Sequence, residues 1–359
     1  MSIDPRTFRL SSHFVLSDFM GNHSIYAKGY ANVFDRVDND IRLENAVCLC
    51  QEGLEPLLEA FGPMSVSYGF ISPEVSDKVV TYQNPRKPSH HLWDLGAACD
   101  FISHRWVAGE QQKAVDLYFP ESARTSPIAL AHAIDYLGIP YSRLITYSES
   151  PYLCLAISAR EFVADAPRKA FYENEFEGKP KAKPNYRTYA TDSARQRALE
   201  RLQQSGLKHP WQGGGWPSYH GGGFRQFQHT RVSKYTMLSD WLFDLQSISN
   251  GAKNIPSMQH EKVQDSFAAA GIVYDALLDA IGVPRMSIVA GYVSHQNPYF
   301  DKKNDWRADR ISFCLNPPDT DTAMGLEPPD LDGVEYGTTD GFMRVYVDVE
   351  TVLGRDWEC

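Results

Sequence analysis

The chain has 359 residues, 43% of them hydrophobic and 22% charged, with a formal net charge of −10. That length suits two domains of ordinary size, and the composition is that of a globular protein, not a disordered one. The negative charge disfavours nucleic acid and anionic membrane surfaces as partners.

No apolar run approaches a membrane span, and residues 1–20 lack a basic stretch followed by an apolar one. A cytoplasmic location, or release by a route that needs no signal peptide, is therefore expected. The six cysteines (Cys48, Cys50, Cys99, Cys154, Cys314 and Cys359) include no Cys-x-x-Cys pair and read as reduced thiols that fill the core. Cys48 and Cys50 sit two apart on an expected helix, so they cannot face one partner and are no metal pair.

In chain order, an opening segment holds Arg6-Thr7-Phe8 and Phe14-Val15-Leu16-Ser17-Asp18-Phe19. An amphipathic helix is expected over Leu43–Phe61, stopped by Gly62, with a strand of alternating small and apolar residues over Met64–Phe70. Ser89-His90-His91 and Gly96-Ala97-Ala98-Cys99-Asp100 follow. A neutral imidazole and a carboxylate suit zinc, and a catalytic site needs a third ligand and an open position. Tyr141–Glu149 then leads into a strand over Pro151–Ile157 that carries Cys154, whose thiolate is itself a good zinc ligand. As a lone residue in an alternating apolar strand, Cys154 reads equally as a buried small side chain.

Lys179–Pro184 is polar and broken by proline, as a linker would be, and Ala194–Gly206 reads as a short charged helix. Residues 212–224 carry two triple glycines around Trp216, Tyr219 and His220. Such a stretch is either a backbone nest for an anion or a loop that joins surfaces, and it lacks the spacing of a phosphate-binding loop. The aromatic residues around it suit an interface between domains or subunits, including self-association.

Beyond the linker the chain repeats itself at a spacing of about 220 residues, the mark of an internal duplication. Arg6-Thr7-Phe8 recurs as Arg225-Gln226-Phe227, and Phe14–Phe19 as Thr236-Met237-Leu238-Ser239-Asp240-Trp241. The helix end before Gly62 recurs before Gly282, on a second expected helix over Val263–Ile281. Met64–Phe70 recurs as Met286–Tyr292, and Ser72 as Ser294. The domains expected are 1–165, a linker with a charged helix and a glycine-rich arm over 166–223, and 224–359. Helices followed by mainly antiparallel strands make the expected fold class α+β.

Ser89-x-His91 followed by Gly96-x-Ala98-x-Asp100 resembles the pattern of the zinc D,D-peptidases, whose fold is shared with the hedgehog signalling domain. The resemblance implies two tandem domains of that fold, with zinc held by His91 and Asp100, Ser89 as a substrate-binding residue and Glu149 as the catalytic base. Cys154 stands where that family places its last zinc histidine. His91 lies two residues farther from Gly96 than the family pattern allows. Ile71 stands where the family carries an arginine in the turn after the first strand, a loss that typically costs about a hundred- to thousandfold in rate. Arg86 and Arg105 are the candidates to replace it.

In the second copy Ser312 falls near the aspartate position and Arg344 at the position of Cys154, which implies no metal there. His132, His260 and His295 lack ligand spacing and read as satisfied or solvated.

Two functional expectations stand side by side, beside a third in which the first copy serves another small substrate through His91, Asp100 and Glu149 without zinc. One is a divergent zinc-peptidase-like hydrolase of peptidoglycan stem peptides, of the kind bacteriophages carry, cytoplasmic or virion-associated. The other is a tandem binding or assembly module that has lost peptidase activity and acts on a protein partner. No nucleic acid or membrane is expected in either.

Overall fold

A computed structural model describes residues 3–35, 41–79, 90–105, 127–147, 152–160, 169–175, 185–187, 200, 230–256, 261–300, 306, 310–318 and 328–354. In chain order a 3-10 turn (Leu16–Phe19) precedes α1 (His23–Lys28), α2 (Ile41–Cys48), a π-helical turn (Leu49–Leu54) and α3 (Glu55–Phe61). There follow β1 (Met64–Tyr68), α4 (Pro73–Val79), a second 3-10 turn (His90–Leu92), β2 (Ala97–Ser103) and α5 (Pro127–Leu137). Next are β3 (Arg143–Tyr147), β4 (Leu153–Ile157), β5 (Lys169–Glu175) and β6 (Asn185–Arg187). The rest of the chain forms α6 (Leu238–Trp241), α7 (Leu245–Asn250), α8 (Glu261–Ile281), β7 (Ser287–Ala290), β8 (Arg310–Asn316), β9 (Val334–Thr339), β10 (Phe342–Asp348) and α9 (Val349–Leu353). The α+β class is as expected, and no described helix is long and apolar enough to cross a membrane.

The two sheets repeat one topology. One runs β1-β2-β4-β3-β5-β6 and the other β7-β8-β10-β9, so the first four strands of one match the four of the other in order. β2–β4, β3–β4, β7–β8, β8–β10 and β9–β10 are antiparallel, while β5 joins β3 in parallel. β5 and β6 come from the segment read as linker; their lengths and polar composition hide a strand signal. The helix expected over Leu43–Phe61 widens to a π-turn at Leu49–Leu54, and Gly62 and Gly282 end their helices at φ 73 in both repeats.

The repeat also recurs bond for bond. Asp18 accepts from the backbone N–H of Val15, and Asp240 from that of Met237. Asn22 and Asp244 cap α1 and α7. Asn32 donates from Nδ2 to the carbonyls of Met20 and Phe70 and accepts from the N–H of Ser72. Asn254 does the same with Leu242, Tyr292 and Ser294. A Cβ at Gly69 or Gly291 would run into the backbone of Phe19 or Trp241, which is why glycine follows both strands. The bridge Arg9–Val15 matches Arg231–Met237, so the true counterpart of Phe8 is Thr230 rather than Phe227.

The chain forms two compact units, one of Met1–Arg36, Ser67–Asn84 and Trp216–Cys359, the other of Val37–Val66 and Pro85–Gly215. In the first unit, the opening arm of the first repeat packs on the sheet of the second. Val15 joins Val289, Cys314 and Phe342 in one buried cluster. Arg9 donates to Asn316 Oδ1 (2.9 Å) and to the Pro317 carbonyl (2.6 Å). Asp18 pairs with Arg285 at 2.7 Å, both side chains being buried, and accepts from Ser287 Oγ at 2.7 Å. Trp241, Phe313, Trp306, Phe267 and Tyr292 fill the core beneath with ring centroids 4.8–5.8 Å apart. The N–H of Asn32 donates to Ile248 and that of Asn254 to Tyr26, so the two repeats meet reciprocally, as two subunits of a twofold dimer would.

In the second unit, α2 packs on β2 and the π-turn on β4, covering one face of the sheet. Gly53 lies against the side chains of Leu155 and Ile157, where a Cβ would stand 2.8 Å from Ile157 Cδ1. The opposite face of β2, β4 and β3 carries Ala98, Asp100, Cys154, Ala156 and Ile145. Cys50, Cys99, Cys154 and Cys314 are buried free thiols and Cys48 is partly buried, as expected.

Candidate metal centre

Asp100 and Cys154 are cross-strand partners in the β2–β4 ladder, so their side chains rise side by side from one face of the sheet. His91 reaches them from the 3-10 turn before β2. One ligand atom from each of His91, Asp100 and Cys154 lies within 4.8 Å of the other two. Asp100 and Cys154 are buried and His91 is half-buried. Ligands about 2.0–2.3 Å from a tetrahedral ion stand roughly 3.5 Å apart, so small side-chain rotations close the group on a metal.

The two extra residues between His91 and Gly96 are taken up by a tight loop. Trp93 turns it at φ 61, in the left-handed region, and is itself fully buried. Its Nε1 donates to the Ala98 carbonyl at 3.2 Å. Asn45 on α2 donates from Nδ2 to the Trp93 carbonyl at 2.8 Å and accepts from the Ala159 N–H at 2.9 Å. Gly96 lets the chain pass the Ile157 carbonyl, where a Cβ would lie at 2.8 Å. Sequence reasoning missed Trp93 and Asn45 as the groups that aim His91. Trp306, whose Nε1 donates to the Ser312 carbonyl at 2.9 Å, is the counterpart that would have pointed to Trp93.

Burial, and then the Asp100 carboxylate, push the Cys154 thiol well above its ordinary range, against the pull of Arg143. Without a cation the centre therefore keeps a protonated thiol beside a carboxylate. A bound cation reverses the balance by taking the thiolate. Burial and then Arg143 lower His90 to about 4, so the neighbouring imidazole stays neutral at physiological pH.

Glu149 and Ser89 lie outside the described residues, as do His260, Arg86, the linker Lys179–Pro184 and the glycine-rich 212–224. His132 is buried on α5, and His295 is exposed and stacks on Phe300 at 4.3 Å.

In the second repeat Arg344 pairs across the ladder with Cys314, as Cys154 does with Asp100. Cys314 thus holds the aspartate position, and Ser312, read as standing near it, is two residues earlier on the same face. Arg344 donates to Ser312 Oγ at 3.1 Å. Among the described residues of that face, a guanidinium stands where the first repeat has Cys154, and Val15 packs over Cys314. No known protein family, curated protein or solved structure matches this chain.

Proposed function

We propose that the first repeat is a zinc centre of hydrolase type, with His91, Asp100 and Cys154 as its three protein ligands, and that the second repeat is structural. The convergence of nitrogen, oxygen and sulfur ligand atoms within 4.8 Å supports this reading most strongly. That donor set suits a borderline-soft ion, and three protein ligands leave a fourth position for substrate or water. Zinc there would supply Lewis acidity toward a carbonyl and make water easier to deprotonate.

The protein's own groups do the rest. Asn45 and Trp93 fix the loop that carries His91, and the ladder fixes Asp100 against Cys154. Glu149, five residues before Cys154, is the group that would accept the water proton and return it to a leaving amine. The substrate class that the resemblance to zinc D,D-peptidases brings is the peptide amide, with peptidoglycan stem peptides first. A metal-free cysteine nucleophile fits less well, because the buried thiol beside Asp100 is biased against the thiolate that such chemistry needs.

Protein purified without chelator or histidine tag is expected to carry about one zinc per chain, lost in Cys154→Ala. Glu149→Gln is expected to keep the zinc and lose stem-peptide hydrolysis. A folded, metal-free wild-type protein would overturn the zinc reading, and a zinc protein inert toward peptides would overturn the hydrolase reading alone.

A further inference from the structure

We propose that the outer edge of β9 binds a second copy of this chain, the two β9 strands pairing antiparallel about a twofold axis. β9 is the counterpart of β3, whose outer edge is closed by β5, and β5 is closed in turn by β6. β6 spans only Asn185–Arg187, a short strand ending in a cation, which is a common way to blunt a sheet edge. β9 ends the second sheet with none of these guards. Val334-Glu335-Tyr336-Gly337-Thr338-Thr339 holds no Lys, Arg or Pro, and its ladder with β10 runs without a bulge.

The turn fixes which backbone groups this edge presents. Asp340 and Gly341, at φ 52 and 84, form a two-residue hairpin turn that makes Thr339 and Phe342 a hydrogen-bonded pair. The bond from the Asp348 N–H to the Gly333 carbonyl keeps the same phase at the other end of the ladder. Val334, Tyr336 and Thr338 therefore point their N–H and C=O groups away from β10. The Val334 N–H is taken by the Leu331 carbonyl at 3.0 Å. The Val334 carbonyl and the outward groups of Tyr336 and Thr338 meet no partner among the described residues.

The strand is complementary to itself. A twofold axis normal to the sheet keeps each face continuous, so residues of one face meet residues of that same face. With the axis at Tyr336, the backbone groups of Tyr336 join those of its own copy, and each Thr338 N–H reaches the Val334 carbonyl across the seam. Glu335 then falls opposite Gly337, so no like charges meet. The two Tyr336 rings lie side by side on the face that carries Val345. The four-stranded sheets of the two copies become one continuous sheet. A contact of one short strand a side is small for a specific interface, so association at about micromolar concentration is expected.

The test is sedimentation velocity of the full chain over about 1–100 micromolar, where the wild type is expected to pass from monomer to dimer. Thr338→Pro removes an outward N–H that the β9–β10 ladder does not use, and edge strands accept proline at such a place. It is expected to raise the dissociation constant about tenfold or more with the far-ultraviolet spectrum unchanged. Amide exchange of the wild type gives a second reading that needs no variant to fold. The Tyr336 and Thr338 N–H groups are expected to exchange more slowly as concentration rises, and that of Val334 is not. A chain that stays monomeric with both amides open would overturn the proposal and leave the edge to a strand of a different protein. A dimer that Thr338→Pro does not weaken, with both amides open, would place the contact on another surface and overturn it as well.

Discussion

Asn32 and Asn254 hold the same position in the two repeats, each tying three backbone groups of its own repeat with bonds of 2.7–3.0 Å. Each is buried, so removing one amide leaves two carbonyls and an N–H without that partner in the interior. Asn32→Ala and Asn254→Ala should each cost at least about 2 kcal/mol of stability. Because the reciprocal bonds Asn32–Ile248 and Asn254–Tyr26 join the repeats, the double variant should depart from additivity. Urea unfolding of the three variants measures both. Losses under about 0.5 kcal/mol, the size of a surface change, would show that the network is not a structural pivot.

The Asp18–Arg285 pair is a second such pivot. Asp18→Asn leaves the Arg285 guanidinium buried without its counter-charge, under the Phe14 ring. The expected loss is about 3–5 kcal/mol, read by denaturant unfolding. Replacing both with apolar residues should recover much of it.

Asp275 on α8 accepts from Ser233 Oγ and from the N–H groups of Lys234 and Tyr235, yet burial raises its pKa to about 6. A carboxyl raised on folding binds its proton more tightly in the folded chain. Its contribution to stability is therefore full below the unfolded value of about 4 and is lost as pH rises through 6. Thermal unfolding should show stability falling over that window. In Asp275→Asn this part of the slope should vanish, and an unchanged slope would assign it to other groups.

Asn45 and Trp93 hold the loop that carries His91. Asn45→Ala should weaken zinc by about tenfold while the ligands stay in place, measured by competition with a chromophoric chelator. Unaltered affinity would mean that the loop holds His91 without that bond.

The convergence of His91, Asp100 and Cys154 was legible because their order matches the zinc D,D-peptidase pattern that the sequence resembles. Helix ends at Gly62 and Gly282 were legible for a local reason, the positive φ that glycine accepts. What decides the geometry was not local. Trp93 adopts a left-handed conformation that its residue type does not announce, held by burial and by its bonds with Asn45, Ala98 and His90. β5 and β6 escaped because their polar composition carries no strand pattern; only their pairing with β3 and with each other places them in the sheet. Cys314, not Ser312, holds the aspartate position, because cross-strand register is a property of two strands together and does not show in one strand's sequence.

The central claim is that His91, Asp100 and Cys154 hold one ion together. Zinc X-ray absorption on the protein as purified tests it most directly. The account predicts one sulfur at about 2.3 Å and nitrogen or oxygen neighbours at about 2.0–2.1 Å, with the sulfur shell gone in Cys154→Ser. Zinc bound without a sulfur neighbour, or a sulfur shell that survives the substitution, would contradict it.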